Sequence, residues 1–268
     1  MRLWQTIKTR FSSQPTNDSW AITEINQPTA EAIAAEQDFC RQYYALETEA
    51  AFELSLQQAA AGLRAAQYFV GLFFDSGNAG LQDASQARQY YYRAALQNSP
   101  EAQYNLATLL LMGRGGEQNL GLAFSWYQKA AENGIAQAQY NCGSMLDEGY
   151  GVKADKAQAR HWYLAAAKQA YPQACQNLAA LYCEGEGGDK SFEQSYAWAM
   201  LAAAAKVEGS DELLAHLTES MSHDDIIFAK QQGDEYFDLY ALELRRQQSQ
   251  GAMSFDPNAT EVINTKLL

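Results

Sequence analysis

A period of 36 residues constrains this chain more than any other feature. Tyr90, Trp126, Trp162 and Trp198 follow it, and so do Ala94, Ala130, Ala166 and Ala202, each with a second Ala behind it. Gly77, Gly113, Gly149 and Gly185 form a third column in the same phase, and Ala66, Ala102, Ala138 and Ala174 a fourth. A repeat of this length is one supersecondary unit that buries its apolar face only against its neighbours. A chain built this way works by presenting an extended surface.

One unit shows what is repeated. In the stretch 138–170, Tyr140, Cys142, Met145 and Leu146 have helical spacing. Gly149 and Gly151 then end the helix, because glycine tolerates positive φ and costs about 1 kcal/mol in a helix interior. Asp155 stands where an N-cap accepts from unpaired backbone N–H groups. The helix it opens carries Ala159, Trp162, Tyr163 and Ala166 on one face. The expectation is a hairpin of two short helices. Gly or Ala at 71, 107, 143 and 179 lets helix backbones approach, and the Trp/Tyr column locks each hairpin to the next. Burial of one such aromatic is worth about 1.5–3 kcal/mol.

These residues resemble the Sel1-like repeat family, relatives of the tetratricopeptide repeats, over about 65–209 in four units. Residues 138–170 carry the pattern most fully, and 102–134 follow with Trp126-Tyr127, Ala130-Ala131 and Gly134. The first unit has Tyr90-Tyr91 for Trp-Tyr; the last has Ala199 after Trp198 and lacks the closing Gly. The resemblance implies an all-α, right-handed superhelical solenoid. It also implies a non-catalytic adaptor or scaffold that holds a partner protein on its concave side.

On that side the resemblance places the first helix of each hairpin, where Asn105, Asn141 and Asn177 recur and Phe69 takes the first unit's position. An amide donates and accepts at once, so a ladder of them suits an extended peptide backbone. The same Asn residues equally suit local backbone groups between hairpins. Gln137 and Gln173, Thr108 and Ser144, and the acidic Asp147, Glu148 and Glu184 complete the candidate face, and the acids favour a basic or polar peptide segment. Tyr90, Trp126, Trp162 and Trp198 with Gly113, Gly149 and Gly185 are its structural frame.

The flanks divide differently. Residues 29–64 read as a degenerate N-terminal helical cap, with Phe39, Tyr43, Tyr44 and Phe52 at helical positions. Residues 210–247 read as acidic C-terminal capping helices, one starting at Ser222 with Asp224 and Asp225 in its first turn. The tail 248–268 lacks periodicity and is expected to be disordered. Segment 1–28 is read as flexible and basic: its first 17 residues hold Arg2, Lys8 and Arg10 and no acid, with Leu3, Trp4, Ile7 and Phe11 on one helical face. That segment suits docking to a partner or a membrane surface, or packing on the first hairpin. It also has the composition of a mitochondrial presequence, were the source eukaryotic.

Composition narrows the function classes. A net charge of −13 opposes nucleic acid, whose phosphates it repels. No 18-residue apolar run or secretory h-region is present. The four cysteines, Cys40, Cys142, Cys175 and Cys183, include no C-x-x-C pair, which suits a reducing bacterial cytoplasm. Disulfide-rich members of the family pair cysteines eight apart across successive helices; Cys175 fills the second such column, but Ala167 stands in the first. Cys175 and Cys183 lie on one helix, about 12 Å apart and beyond bridging.

Catalysis finds little footing. A hydrolase-type reading comes from β-lactamase-like relatives, but no Ser is followed at three residues by Lys. His161, His216 and His223 are scattered, so no metal or other cofactor is expected. The run Gly185 to Ser191 lacks phosphate-loop spacing. A second non-catalytic reading is an immunity protein that covers a toxin's basic active site with an acidic surface.

Overall fold

The computed structural model describes residues 28–77 and 82–250, and every regular element among them is helical. The readings for residues 1–17, and for the tail from 251 on, lie outside the described residues. The helices are α1 (Ala30–Tyr43), α2 (Thr48–Ala60), α3 (Arg64–Ser76), α4 (Ala84–Leu96), α5 (Pro100–Met112) and α6 (Leu120–Glu132). They continue as α7 (Ala136–Glu148), α8 (Lys156–Ala167), α9 (Pro172–Glu184), α10 (Phe192–Ala204), α11 (Ser210–Ser220) and α12 (His223–Gln250). The four repeats are α3–α4, α5–α6, α7–α8 and α9–α10. The chain divides into two compact units, one ending at Trp126 and the other beginning at Tyr127.

Local chemistry sets the helix ends. Gly77, Gly113, Gly149 and Gly185 follow the first helices with φ of 74, 68, 72 and 76°, the left-handed cap that L-residues resist. The second helices open on side-chain caps: Asp83 accepts from Ser85 and Gln86 N–H, Asn119 from Leu122, Asp155 from Gln158 and Ser191 from Gln194. Each capping residue also donates its own N–H across the turn, to the carbonyl nine residues back. These bonds join Asp83 to Phe74, Asn119 to Leu110, Asp155 to Leu146 and Ser191 to Tyr182 at 2.9–3.0 Å. The run Gly185–Ser191 is therefore one of four equivalent turns, with Ser191 occupied as a cap.

Packing refines the expected core. Tyr90, Trp126 and Trp198 are buried, but Trp162 is only half-buried, edge-on to His161. The deepest column lies one residue on, in Tyr91, Tyr127 and Tyr163, each at most 1% exposed. One residue turns a helix by about 100°, and that rotation aims Tyr163 inward and Trp162 to the flank. The small residues also act differently from the expectation. A Cβ on Gly71 would stand 2.6 Å from the Tyr91 ring, and one on Gly143 would stand 2.6 Å from the Tyr163 ring. These glycines admit a ring rather than a backbone.

The caps are helical at both ends. At the N-terminal end α2 packs on α3 through Phe52, whose ring lies 4.8 Å from that of Phe73, and α1 lies across α3 through Phe39, Tyr43 and Phe69, the last two rings 4.1 Å apart. A bidentate pair fixes it: Arg64 Nε and Nη2 donate to Glu36 at 2.8 and 2.5 Å, while Nη1 reaches the Gln97 and Asn98 carbonyls. At the other end α12 packs on α10, with Tyr236 stacked on Trp198 at 4.4 Å and Gly233 admitting Met200. Ser222 accepts from Asp225 N–H and so opens α12, with Asp224 and Asp225 in its first turn. This helix runs to Gln250, so residues 248–250 close it rather than begin a tail.

Candidate functional site

The candidate residues lie on the first helices of the repeats, and each unit holds its own share. In the first unit α5 carries Asn105 and Thr108, both half-buried. In the second, α7 carries Gln137, Asn141, Ser144 and Asp147, all half-buried, and exposed Glu148; α9 carries half-buried Asn177 with exposed Gln173 and Glu184. Their helix neighbours are core: Leu106, Ala107, Cys142, Leu178 and Ala179 are all 0% exposed. The spacing that buries the core face thus leaves a polar stripe on the same helices.

Two of the three Asn side chains are engaged by tyrosine hydroxyls. In the second unit Tyr163 Oη donates to Asp147 Oδ2 at 3.4 Å, and the side chains of Asn177 and Ser144 bond the same hydroxyl. In the first unit Tyr91 Oη donates to Asp75 Oδ2 at 3.3 Å and Asn105 bonds it. Burial raises the pKa of both phenols, so both stay protonated as donors. Thr108 Oγ1 donates to the Tyr104 carbonyl at 3.0 Å, a bond within its own helix.

The acidic rim is partly neutralised. Asp147 pairs with Lys156 Nζ at 2.5 Å, and the same ammonium reaches Glu186 at 2.7 Å. The bonds to Asp147 and then Glu186 raise the Lys156 pKa, so it stays charged. Arg114 pairs with Asp75 at 2.7 Å in the first unit. Glu148 and Glu184 remain as the exposed acids of the candidate face.

Two patterns escaped the sequence reading. Gln67, Gln103 and Gln139 recur at 36 and are buried; each amide donates to the carbonyl eight residues back, at Ala59, Ala95 and Ala131. Ala167 and Cys175 occupy the corresponding places in the next repeat. The Gln side chain thus makes the inter-helix link where disulfide-rich relatives place a cystine. Its signal was a Gln recurring in three consecutive repeats directly after the Ala66, Ala102 and Ala138 column. The second pattern is a 72-residue superperiod. Gly71, Asp75 and Arg88 reappear as Gly143, Asp147 and Arg160, whereas the intervening repeat has Ala107, Leu111 and Phe124; the tyrosines Tyr91, Tyr127 and Tyr163 keep the 36-residue period. The Asp–Tyr–Asn node therefore occurs once in each unit.

His161, His216 and His223 are exposed and separate in sequence and on different helices. Among the described residues no group of three or more His, Cys, Asp and Glu side chains is placed to hold a metal ion, and no helix is long and apolar enough to cross a membrane.

Comparison with known proteins agrees with this construction. The model of the Sel1 repeat matches four times, at residues 64–99, 100–135, 136–171 and 172–207. A protective antigen present in uropathogenic Escherichia coli strains, displaying an SLR fold, is 27% identical with a TM-score of 0.68, over 84% of this chain and 50% of its own. A Sel1 repeat protein from Oxalobacter formigenes is 28% identical with a TM-score of 0.59, over 64% of this chain and 50% of its own. The chain thus matches half the length of each of these structures. An immunity protein from Pseudomonas aeruginosa is 15% identical with a TM-score of 0.41, too slight a likeness to bear on function. No curated protein matches.

Proposed function

The chain belongs to the Sel1 repeat family, and from that premise we propose that it is a non-catalytic adaptor that holds a polar or basic peptide segment of a partner protein. Sel1 repeat proteins generally mediate contacts between proteins. The observation that carries the reading is the polar stripe of α7 and α9: Gln137, Asn141, Gln173, Glu148 and Glu184 stay half- or fully exposed beside a core at or near 0% exposure. Asn141 and the two Gln side chains offer donors and acceptors to an extended backbone, while Glu148 and Glu184 attract cationic side chains. Asn177 is assigned a supporting role, because it also bonds the Tyr163 hydroxyl.

A bacterial cytoplasm is the proposed setting. Support comes from the four free cysteines and from the bacterial sources of the structural relatives.

The test compares wild type with Asn141→Ala and with Glu148→Lys/Glu184→Lys in affinity capture from native lysate, followed by titration of the captured partner. Both variants alter half- or fully exposed side chains, so helicity should be unchanged. Loss of about tenfold or more in affinity supports the reading, at about 1.4 kcal/mol per decade. Unchanged affinity in both variants refutes it and moves the interface elsewhere.

A further inference from the structure

Four positions run half-buried along the first helices of the middle repeats: Glu101, Tyr104, Asn105 and Thr108 on α5, and Gln137, Tyr140, Asn141 and Ser144 on α7. On α3 the same positions are Ala65, Tyr68, Phe69 and Leu72, and all four are buried. The stripe is thus apolar and covered in the first repeat. Cover at Phe69 comes from α1 and its cap: the rings of Phe39, Tyr43 and Tyr44 lie 5.8, 4.1 and 6.2 Å from that of Phe69.

This cover is lightly held. Of the fourteen residues of α1, only Glu36 and Phe39 are buried. Ala32, Cys40 and Tyr43 are half-buried, and the others are exposed. Those five contact positions form one narrow stripe at helical spacing. On α3, by contrast, all ten residues from Ala65 to Phe74 are buried. The apolar face belongs to α3, and α1 is the smaller body laid on it.

A carboxylate receptor stands at the head of that face. Arg64 Nη1 donates to the Gln97 and Asn98 carbonyls at 3.4 and 3.2 Å, which fastens the guanidinium to the end of α4. Nε and Nη2 are then aimed at Glu36, at 2.8 and 2.5 Å. Such a planar fork matches a carboxylate with two parallel bonds. Because the bonds to the end of α4 hold the guanidinium, its aim survives when α1 leaves.

We propose that α1 is a displaceable strap over a helix-docking face of α3, and that this face receives an amphipathic helix of a partner protein. The partner helix carries the pattern of Glu36, Phe39 and Tyr43: a carboxylate, an aromatic residue three positions on and a second aromatic four beyond it. Its carboxylate seats on Arg64 and its rings on Phe69 and Phe73, as those of α1 do. The face lies in the first unit and is distinct from the α7–α9 stripe, whose exposed acids call for cations. The strap lowers the partner's apparent affinity by the fraction of chains in which α1 is open.

The test uses the full chain and a fluorescent peptide with the sequence of residues 29–46, followed by anisotropy. The chains are wild type, Phe39→Ala/Tyr43→Ala and the milder Glu36→Ala; retained far-UV dichroism verifies that the repeats are folded. The peptide should bind both variants about tenfold or more tighter than wild type, and a peptide carrying Phe39→Ala should lose that gain. In wild type, hydrogen exchange read by mass spectrometry should show the α1 amides exchanging about tenfold or more faster than those of α3. Equal affinity for all three chains, or no binding to the folded variants, overturns the proposal. So does exchange of α1 at the rate of α3, a measurement that needs no variant. Binding retained by the Phe39→Ala peptide assigns the affinity to charge alone and overturns the aromatic face.

Discussion

Replacing Gly143 with Ala puts one methyl group against a ring that has nowhere to go. The new Cβ would lie 2.6 and 2.7 Å from Cδ1 and Cε1 of Tyr163, whereas carbon atoms settle at about 3.5–4.0 Å. The ring must therefore retreat by about 1 Å. Tyr163 is 1% exposed and its hydroxyl is engaged by Asp147, Asn177 and Ser144, so retreat strains the packing and stretches those bonds. Overpacking costs about 1–3 kcal/mol and a weakened hydrogen bond about 1 kcal/mol, against about 1 kcal/mol regained from helix propensity. The expected net loss is about 1–3 kcal/mol by that sum. Urea unfolding followed by far-UV dichroism measures it. The fourth repeat provides an internal control, since Ala179 there accompanies Ala199 in place of a Gly–Tyr pair. Gly143→Ala in a Tyr163→Ala background should accordingly cost nothing, leaving a coupling of about 1 kcal/mol or more. A neutral or stabilising Gly143→Ala in the wild-type background would refute the steric argument.

Other expected outcomes concern the polar core, the left-handed cap and the titrating groups. Gln103→Ala removes a fully buried amide that serves Ala95 and Asn98, and should lower stability by about 1–3 kcal/mol in the same assay. Lys206 closes the fourth repeat at φ 59°, where Gly62 and Gly134 serve elsewhere; Lys206→Gly should stabilise by about 1 kcal/mol, seen as a higher Tm. Burial raises the Glu101 pKa in the folded chain, so the folded state binds that proton more readily than the unfolded one. The ionised group is thus least favourable at neutral pH: Glu101→Gln should stabilise at pH 7, and its gain should shrink as pH falls through the carboxylate range. Burial also pushes the Cys175 thiol up to about 12 and the Cys142 thiol higher, so iodoacetamide at pH 8 should label neither until the chain is unfolded. Mass spectrometry reads the labelling, and rapid labelling of the native chain would contradict the burial.

Much of the architecture was legible because it is periodic. Gly113, Gly149 and Gly185 sit where a left-handed cap favours glycine, and Asp155 and Ser222 sit where an N-cap needs a side-chain oxygen. The candidate stripe was legible as polar positions beside core positions. The role of each stripe residue was not. Asn105, Asn141 and Asn177 look equivalent in one dimension, but Asn105 and Asn177 bond tyrosine hydroxyls that arrive from the neighbouring helix pair.

The sequence by itself determined the repeat length, the two-helix hairpin, the turns and the family, because these depend on interactions within about one period: backbone sterics, capping and helical spacing. Tertiary structure decided which aromatic of the Trp-Tyr pair is deepest and that Gly71 and Gly143 admit rings. It also decided that Gln103 and Gln139 bridge helices, that Lys156 neutralises Asp147, and that α1 lies across Phe69. The physical reason is that a side chain's orientation fixes its partner only once the neighbouring helix is in place. A helix turns by about 100° per residue, so adjacent positions with the same chemistry face different surroundings.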